Sequence, residues 1–198
     1  MKYALVLNAP GLDVEIEEQL IIAADGGYRL VKDKPVQAVI GDFDTLGYLP
    51  NDVKTITHPT DKDKTDGEIC LDYVKSIGGT EVTLYGGTGG HVDHVLGNVN
   101  LLAYGNEIGI DVKMVDKEST VYFVNSSLTA SCNAGDVLSV LPYGGKCTFS
   151  SSKGLKYPLD GLTIAPHSSL GLSNRVTEGK VEINVKEGSA LVIIRKKS

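Results

Sequence analysis

A chain of 198 residues with 41% hydrophobic side chains can fill one large core or two small ones, and its net charge of -6 argues against nucleic acid as a partner, because phosphate backbones are held mainly by lysine and arginine. Three cysteines, Cys70, Cys132 and Cys147, form no Cys-x-x-Cys pair, which argues against a disulfide framework or a thiolate zinc site. The opening run Met1–Asn8 is too short for a signal peptide, and no stretch approaches the ~20 apolar residues of a membrane helix, so a cytoplasmic protein with no membrane partner is expected.

Through about Val115, short β-branched runs alternate with helical patterns, the signature of an α/β domain with a mainly parallel sheet. Strands are expected at Lys2–Leu7, Leu20–Ala24, Ala38–Ile40, Val53–Thr57, Glu81–Tyr85 and Asp111–Val115. A helix follows Asp66, where Ile69, Tyr73 and Ile77 recur at i, i+4, i+8, and Thr65-x-x-Glu68 is its capping box. A second helix spans about Asp93 to Tyr104, with Gly105 as its expected stop. Beyond Glu118 no helical period is visible. Runs at Val137–Leu141, Lys146–Phe149, Lys180–Val185 and Ala190–Arg195, separated by Gly, Pro, Asn and Ser, predict a small all-β sandwich or barrel. The expected domains are therefore 1–118 and 119–198, with the boundary near Asp116–Ser119.

Three acidic blocks stand where apolar runs end: Asp25-Gly26-Gly27, Gly41-Asp42-Phe43-Asp44-Thr45 and Asp61-Lys62-Asp63-Lys64-Thr65-Asp66. Acids at strand ends of an α/β sheet converge on the ligand crevice, and hard cations such as Mg2+ take oxygen ligands there. Each block also has a plainer reading, as an N-capped turn, a charged loop or a helix entrance that gains from the macrodipole. Lys62 and Lys64 alternate with the acids and offer ammonium groups to phosphate. The loop Gly86-Gly87-Thr88-Gly89-Gly90-His91-Val92-Asp93-His94 places four glycines between a strand and a helix, which lets backbone amides approach an anion. It matches neither the dinucleotide fingerprint nor the P-loop, and His91 with His94 offers zinc only two imidazoles.

Taken in order, Ala23-Ala24-Asp25-Gly26-Gly27, Gly41-Asp42-Phe43-Asp44, Asp61-x-Asp63-Lys64-Thr65-Asp66-x-Glu68, the glycine loop through Asp93-His94-x-x-x-Asn98, and Gly171-Leu172-Ser173-Asn174 resemble the thiamine pyrophosphokinase family. The resemblance implies an N-terminal nucleotide- and metal-binding domain, a C-terminal β-sandwich contributing to thiamine binding and dimerisation, and a homodimer with thiamine between subunits. The reaction it implies is Mg2+-dependent transfer of the pyrophosphoryl group of ATP, the co-substrate, to the hydroxyl of thiamine, giving thiamine diphosphate and AMP. By the same resemblance, Asp25, Asp42, Asp44 and Asp66 are metal ligands, and Asp44, Asp66 and Asp93 are catalytic. Gly26, Gly27, Lys64, Thr65, Gly87, Gly90, His91 and Asn98 meet the nucleotide, while Asp93, His94, Ser173 and Asn174 meet thiamine.

Two departures from the family pattern bear on this. His91 replaces the usual arginine and cannot form a bidentate fork to phosphate, and the chain has no tryptophan to stack on thiamine. Alternatives are pyrophosphoryl transfer to another alcohol such as a pterin, an aspartyl-phosphate phosphohydrolase built on Asp42-x-Asp44, and a nucleotide-sensing module without turnover.

Overall fold

The computed structural model describes residues 1–59, 61 and 63–197, and the chain divides into two compact units, Met1–Lys117 and Glu118–Ser198. The first unit holds β1 (Lys2–Val6), β2 (Ile21–Ala24), β3 (Val36–Gly41), β4 (Thr55–Thr57), α1 (Asp66–Ser76), β5 (Glu81–Tyr85), α2 (Val92–Ile108) and β6 (Asp111–Val115). Its sheet runs β6-β5-β1-β2-β3-β4, and every pairing in it is parallel. Continuous burial of Tyr3–Val6 and Ile21–Ala24 is what a strand covered on both faces requires. At the edge, β4 is short and only partly buried, because it pairs with β3 alone; the expected strand from Val53 begins two residues later.

The chain steps outward from β1 to β4, then returns through α1 to lay β5 on the other side of β1. The strand order therefore reverses between β1 and β5, and a crevice opens at their carboxyl ends. α1 begins at Asp66 with the expected capping box: Thr65 Oγ1 accepts from the Glu68 N–H, and the Glu68 carboxylate accepts from the Thr65 N–H. Its buried face is Cys70, Leu71 and Val74. α2 outruns the expected stop at Gly105 by one turn. Gly105 instead sits inside the helix against β6, where a Cβ would stand 2.1 Å from Val112 Cγ2. The true stop is Gly109, left-handed at φ 80°.

On one face of the sheet Ala4, Val6, Ala23 and Val39 cluster with Tyr28, Phe43 and Leu46, so loops following β2 and β3 are anchored by their own apolar side chains. The segment between β1 and β2 is tied down differently: the Glu18 carboxylate accepts hydrogen bonds from Thr83 Oγ1 and from Tyr85 Oη, the latter at 2.8 Å. Burial, reinforced by that carboxylate, raises the Tyr85 hydroxyl well above the usual phenol value.

The second unit holds β7 (Ser119–Val124), β8 (Ser127–Ser131), β9 (Val137–Pro142), β10 (Cys147–Lys153), β11 (Thr163–Ile164), β12 (Asn174–Arg175), β13 (Lys180–Glu187) and β14 (Ala190–Arg195), with no helix among the described residues. β12-β9-β14-β7 and β11-β10-β13-β8 are antiparallel sets. Leu138, Val140 and Val192 from the first set and Phe149, Val181 and Ile183 from the second fill one shared core. Among the described residues, no helix is long and apolar enough to cross a membrane.

Candidate active site

Asp25 follows β2 and opens a short 3-10 helix over Asp25–Leu30; Asp42 follows β3; Asp66 is the first residue of α1. Each offers one carboxylate oxygen, and these three oxygens lie within 4.8 Å of one another. Asp25 is buried at 5% exposure and holds a positive φ of 37°. Gly41 makes the approach possible, since a Cβ there would stand 2.8 Å from Asp25 Cβ and 3.1 Å from Asp66 Oδ2. Two unit charges at that oxygen spacing repel by about 3.5 kcal/mol at an effective dielectric of ~20. Three carboxylates with oxygen-only donors fit a hard divalent cation such as Mg2+, which removes that repulsion.

The loop carrying Asp42 and Asp44 is held from the 3-10 helix beneath it. Asp25 accepts the backbone N–H of Thr45 through Oδ2 and of Leu46 through Oδ1, both at 3.1 Å. Four residues on, Arg29 Nη2 donates to the carbonyls of those same two residues, to Leu46 O at 3.0 Å and to Thr45 O. Phe43, left-handed at φ 64°, drops its ring into the core, and its carbonyl accepts from the Gly47 N–H. Asp44 stands outside the three-carboxylate group; its N–H donates to Asp42 Oδ1 at 3.2 Å, and its own Oδ1 accepts from Thr45 Oγ1 at 3.0 Å.

Two neighbouring clefts share Asn8, His94 and Asn98, and one of them includes two of the carboxylates. One, of about 510 Å³, runs from Asn8–Pro10 after β1 to the Gly86–Gly90 loop after β5 and is closed by His91, His94 and Asn98. This is the switch point of the sheet. The other, of about 400 Å³, takes in Asp25, Asp66, Thr65, Asp93 and His94. Asn8 and Asn98 line both. Asn98 Nδ2 donates to Gly87 O at 3.0 Å, fixing the glycine loop to α2, and His91 is the N-cap residue, its ring 6.1 Å from that of His94. Asp93 is exposed in the first turn, where its Oδ1 accepts the His94 N–H.

Other candidate positions are occupied in ways that spacing alone does not reveal. Gly26 and Gly27 are buried where the 3-10 helix meets the end of β1: a Cβ on Gly27 would lie 2.3 Å from Val6 O, and one on Gly26 2.8 Å from Asn8 Oδ1. Lys64 Nζ donates to Asp72 Oδ2 at 2.6 Å and to Tyr104 Oη at 2.7 Å, bridging α1 and α2. The hydrogen bonds to Asp72 and Tyr104 hold the Lys64 ammonium above the usual lysine range. For Asp72, burial pushes the carboxyl upward, but the bonds from Lys64 and Tyr104 outweigh it and leave it below the usual aspartate value. Lys62 lies outside the described residues. In the second unit, Ser173 is left-handed at φ 59° and exposed. Asn174 is buried, and its carboxamide pairs with both backbone groups of Tyr157: Oδ1 accepts from the Tyr157 N–H at 3.1 Å and Nδ2 donates to Tyr157 O at 2.7 Å.

Asn8 and Arg29 had no sequence signal of their own. Asn8 owes its place to the strand order, and Arg29 to a short helix that carries no apolar period.

Residues 14–114 match the family model described as thiamin pyrophosphokinase, catalytic domain, and residues 125–190 match that for the thiamin pyrophosphokinase vitamin B1 binding domain. A thiamine pyrophosphokinase of Bacillus subtilis is 26% identical over 190 residues, covering 89% of this chain and 87% of that protein. The crystal structure of a thiamin pyrophosphokinase from Geobacillus thermodenitrificans superposes with a TM-score of 0.84 at 26% identity, covering 100% of this chain and 99% of that one. A thiamine pyrophosphokinase structure from Bacillus subtilis shares the fold at a TM-score of 0.85 and 21% identity, each chain covered in full at 100%. Two family models matched in succession, the first over more than half of the residues and enclosing all three clustered carboxylates, establish that the chain belongs to the thiamin pyrophosphokinase family.

Proposed function

We propose that the chain transfers the terminal pyrophosphoryl group of ATP to the hydroxyethyl oxygen of thiamine, yielding thiamine diphosphate and AMP. The observation that carries this reading is the meeting of Asp25, Asp42 and Asp66 beside a cleft that shares Asn8, His94 and Asn98 with the one at the strand-order reversal. These residues would hold Mg2+, with Asp44, two positions along the same pinned loop, as a further carboxylate; such an ion would supply the positive charge that offsets the pyrophosphoryl group's negative charge during transfer. The Gly87 and Gly90 region and the N-terminus of α2 bind the nucleotide through backbone amides. Asp93 orients the thiamine hydroxyl, whose oxygen bonds to the β-phosphorus as the bond from that phosphorus to the α,β-bridging oxygen breaks.

Recognition of the aminopyrimidine falls to the second unit, through exposed Ser173 in the loop that the buried Asn174 holds to Tyr157, in keeping with the description of the family model matched there. The working assembly is a homodimer in the cytoplasm; exposed Val92 and Leu96 on α2 support an apolar contact with another chain. The test is an incubation with ATP, Mg2+ and a panel of alcohols including thiamine and a pterin alcohol. AMP release dependent on thiamine is expected, and Asp66→Asn should abolish it in a folded protein. Release of inorganic phosphate without thiamine, or full turnover in Asp66→Asn or Asp44→Asn, would refute the corresponding role.

A further inference from the structure

We infer that Arg29 is a positioning residue that sets the divalent-cation affinity of the site from outside it. The inference rests on the proposed metal reading of Asp25, Asp42 and Asp66. Arg29 offers no ligand atom. What it touches is the backbone of Thr45 and Leu46, whose two carbonyls share its Nη2, while the two N–H groups of the same residues go to the Asp25 carboxylate. Two turns of 3-10 helix thus grip two consecutive residues by both their backbone N–H and C=O groups, with a carboxylate at the first position of the helix and a guanidinium at the fifth.

Asp25 belongs to both arrangements. Each of its oxygens receives one N–H from the loop, and one of the two also lies within 4.8 Å of a carboxylate oxygen of Asp42 and of Asp66. The loop that Asp25 holds is the one that begins with Asp42, so the relative placement of these two carboxylates is fixed by the same four peptide contacts. Without Arg29, the loop would keep its buried Phe43 and Leu46, but the hydrogen-bonded tie of Thr45 and Leu46 to the 3-10 helix would rest on Asp25. Its carboxylate would then turn with the loop, and Asp25 and Asp42 would lose their common register. Groups that orient metal ligands without touching the metal commonly alter affinity by about 10–100-fold when removed. Arg29 is exposed, which places it toward the lower part of that range.

The experiment is a Mn2+ titration read by electron paramagnetic resonance on the purified chain without nucleotide, for wild type, Arg29→Met, Arg29→Lys and Asp66→Asn, with the melting temperature of each metal-free protein measured in parallel. Arg29→Met is expected to bind Mn2+ about 10-fold more weakly. Arg29→Lys, which restores one cationic donor, should recover part of the loss, and Asp66→Asn should bind least. A purely structural role would lower the melting temperature and leave the Mn2+ affinity of the folded fraction unchanged, and that result would overturn the inference. Absence of Mn2+ binding in wild type would instead refute the metal reading beneath it, so the two failures are distinguishable. Should Arg29→Met fail to fold, Arg29→Lys with undiminished affinity would be enough to reject the role.

Discussion

Replacing Gly41 by alanine adds a single methyl group at the point where β3 delivers Asp42 to the site. Gly41 does not adopt a positive φ, so alanine meets no backbone penalty and the whole effect comes from the new Cβ. That atom would begin 2.8 Å from Asp25 Cβ, 3.1 Å from Asp66 Oδ2 and 3.3 Å from Asp25 Cα, whereas ordinary contact starts at 3.4 Å. Asp25 would have to retreat by about 0.6 Å, although metal–ligand distances tolerate only about 0.2 Å. Its retreat is opposed by the two N–H bonds from Thr45 and Leu46. We expect Gly41→Ala to fold with a loss of about 1–3 kcal/mol from overpacking, and to lose at least about tenfold in Mg2+ affinity with a parallel fall in turnover. Isothermal titration of the metal, kcat at rising Mg2+ and chemical denaturation give the three readings. Wild-type metal affinity in Gly41→Ala would show that the close approach of Asp25 and Asp66 has no bearing on the cation.

Asp72→Asn should lower stability through the neutral range. Because the Asp72 carboxyl is depressed in the fold, its contribution is complete above the ordinary aspartate value of about 3.9 and disappears as pH falls below it, so the gap between wild type and variant in urea melts should close in acid. A gap that persists unchanged at pH 2 would contradict the assignment. Asn174→Ala deprives both backbone groups of Tyr157 of their partner and is expected to destabilise the chain by about 1–3 kcal/mol in thermal unfolding, whereas Ser173→Ala, whose N–H alone bonds to Ser139 Oγ, should act on the KM for thiamine and not on stability. His91→Arg restores a forked cation at the edge of the larger cleft and should preserve or lower the KM for ATP; a large rise would show that this side chain does not face the nucleotide.

The parallel strands were legible because burial on both faces demands uninterrupted runs such as Ile21–Ala24, and α1 because Thr65 and Glu68 spell its cap. Gly105 misled for a physical reason: glycine ends helices, but it also serves wherever a helix must lie close to a strand, and only the position of Val112 decides between the two. β7 and β8 leave no clear signal in the sequence: β7 opens on Ser119 and Thr120 and then runs through four apolar residues without alternation, and most of β8 is exposed, with Ser and Thr around its two apolar residues. In the site, the acidic blocks announced carboxylates at strand ends, yet spacing could not tell that Asp25, Asp42 and Asp66 meet while Asp44 stands apart. Nor could it tell that Lys64 is engaged by Asp72, since the partner lies eight residues on across a helical turn. Contacts with distant partners, such as Arg29 with Thr45, leave no local pattern to read.

The bond from Asn98 to the Gly87 carbonyl bears on binding kinetics. Glycine-rich loops are ordinarily floppy in the free state, and a ligand must then spend part of its interaction in freezing them. Here the start of the loop is already fastened to the helix whose amino end it precedes, so loop and helix form one preshaped unit, and on the proposed function phosphate capture would not await a closing motion.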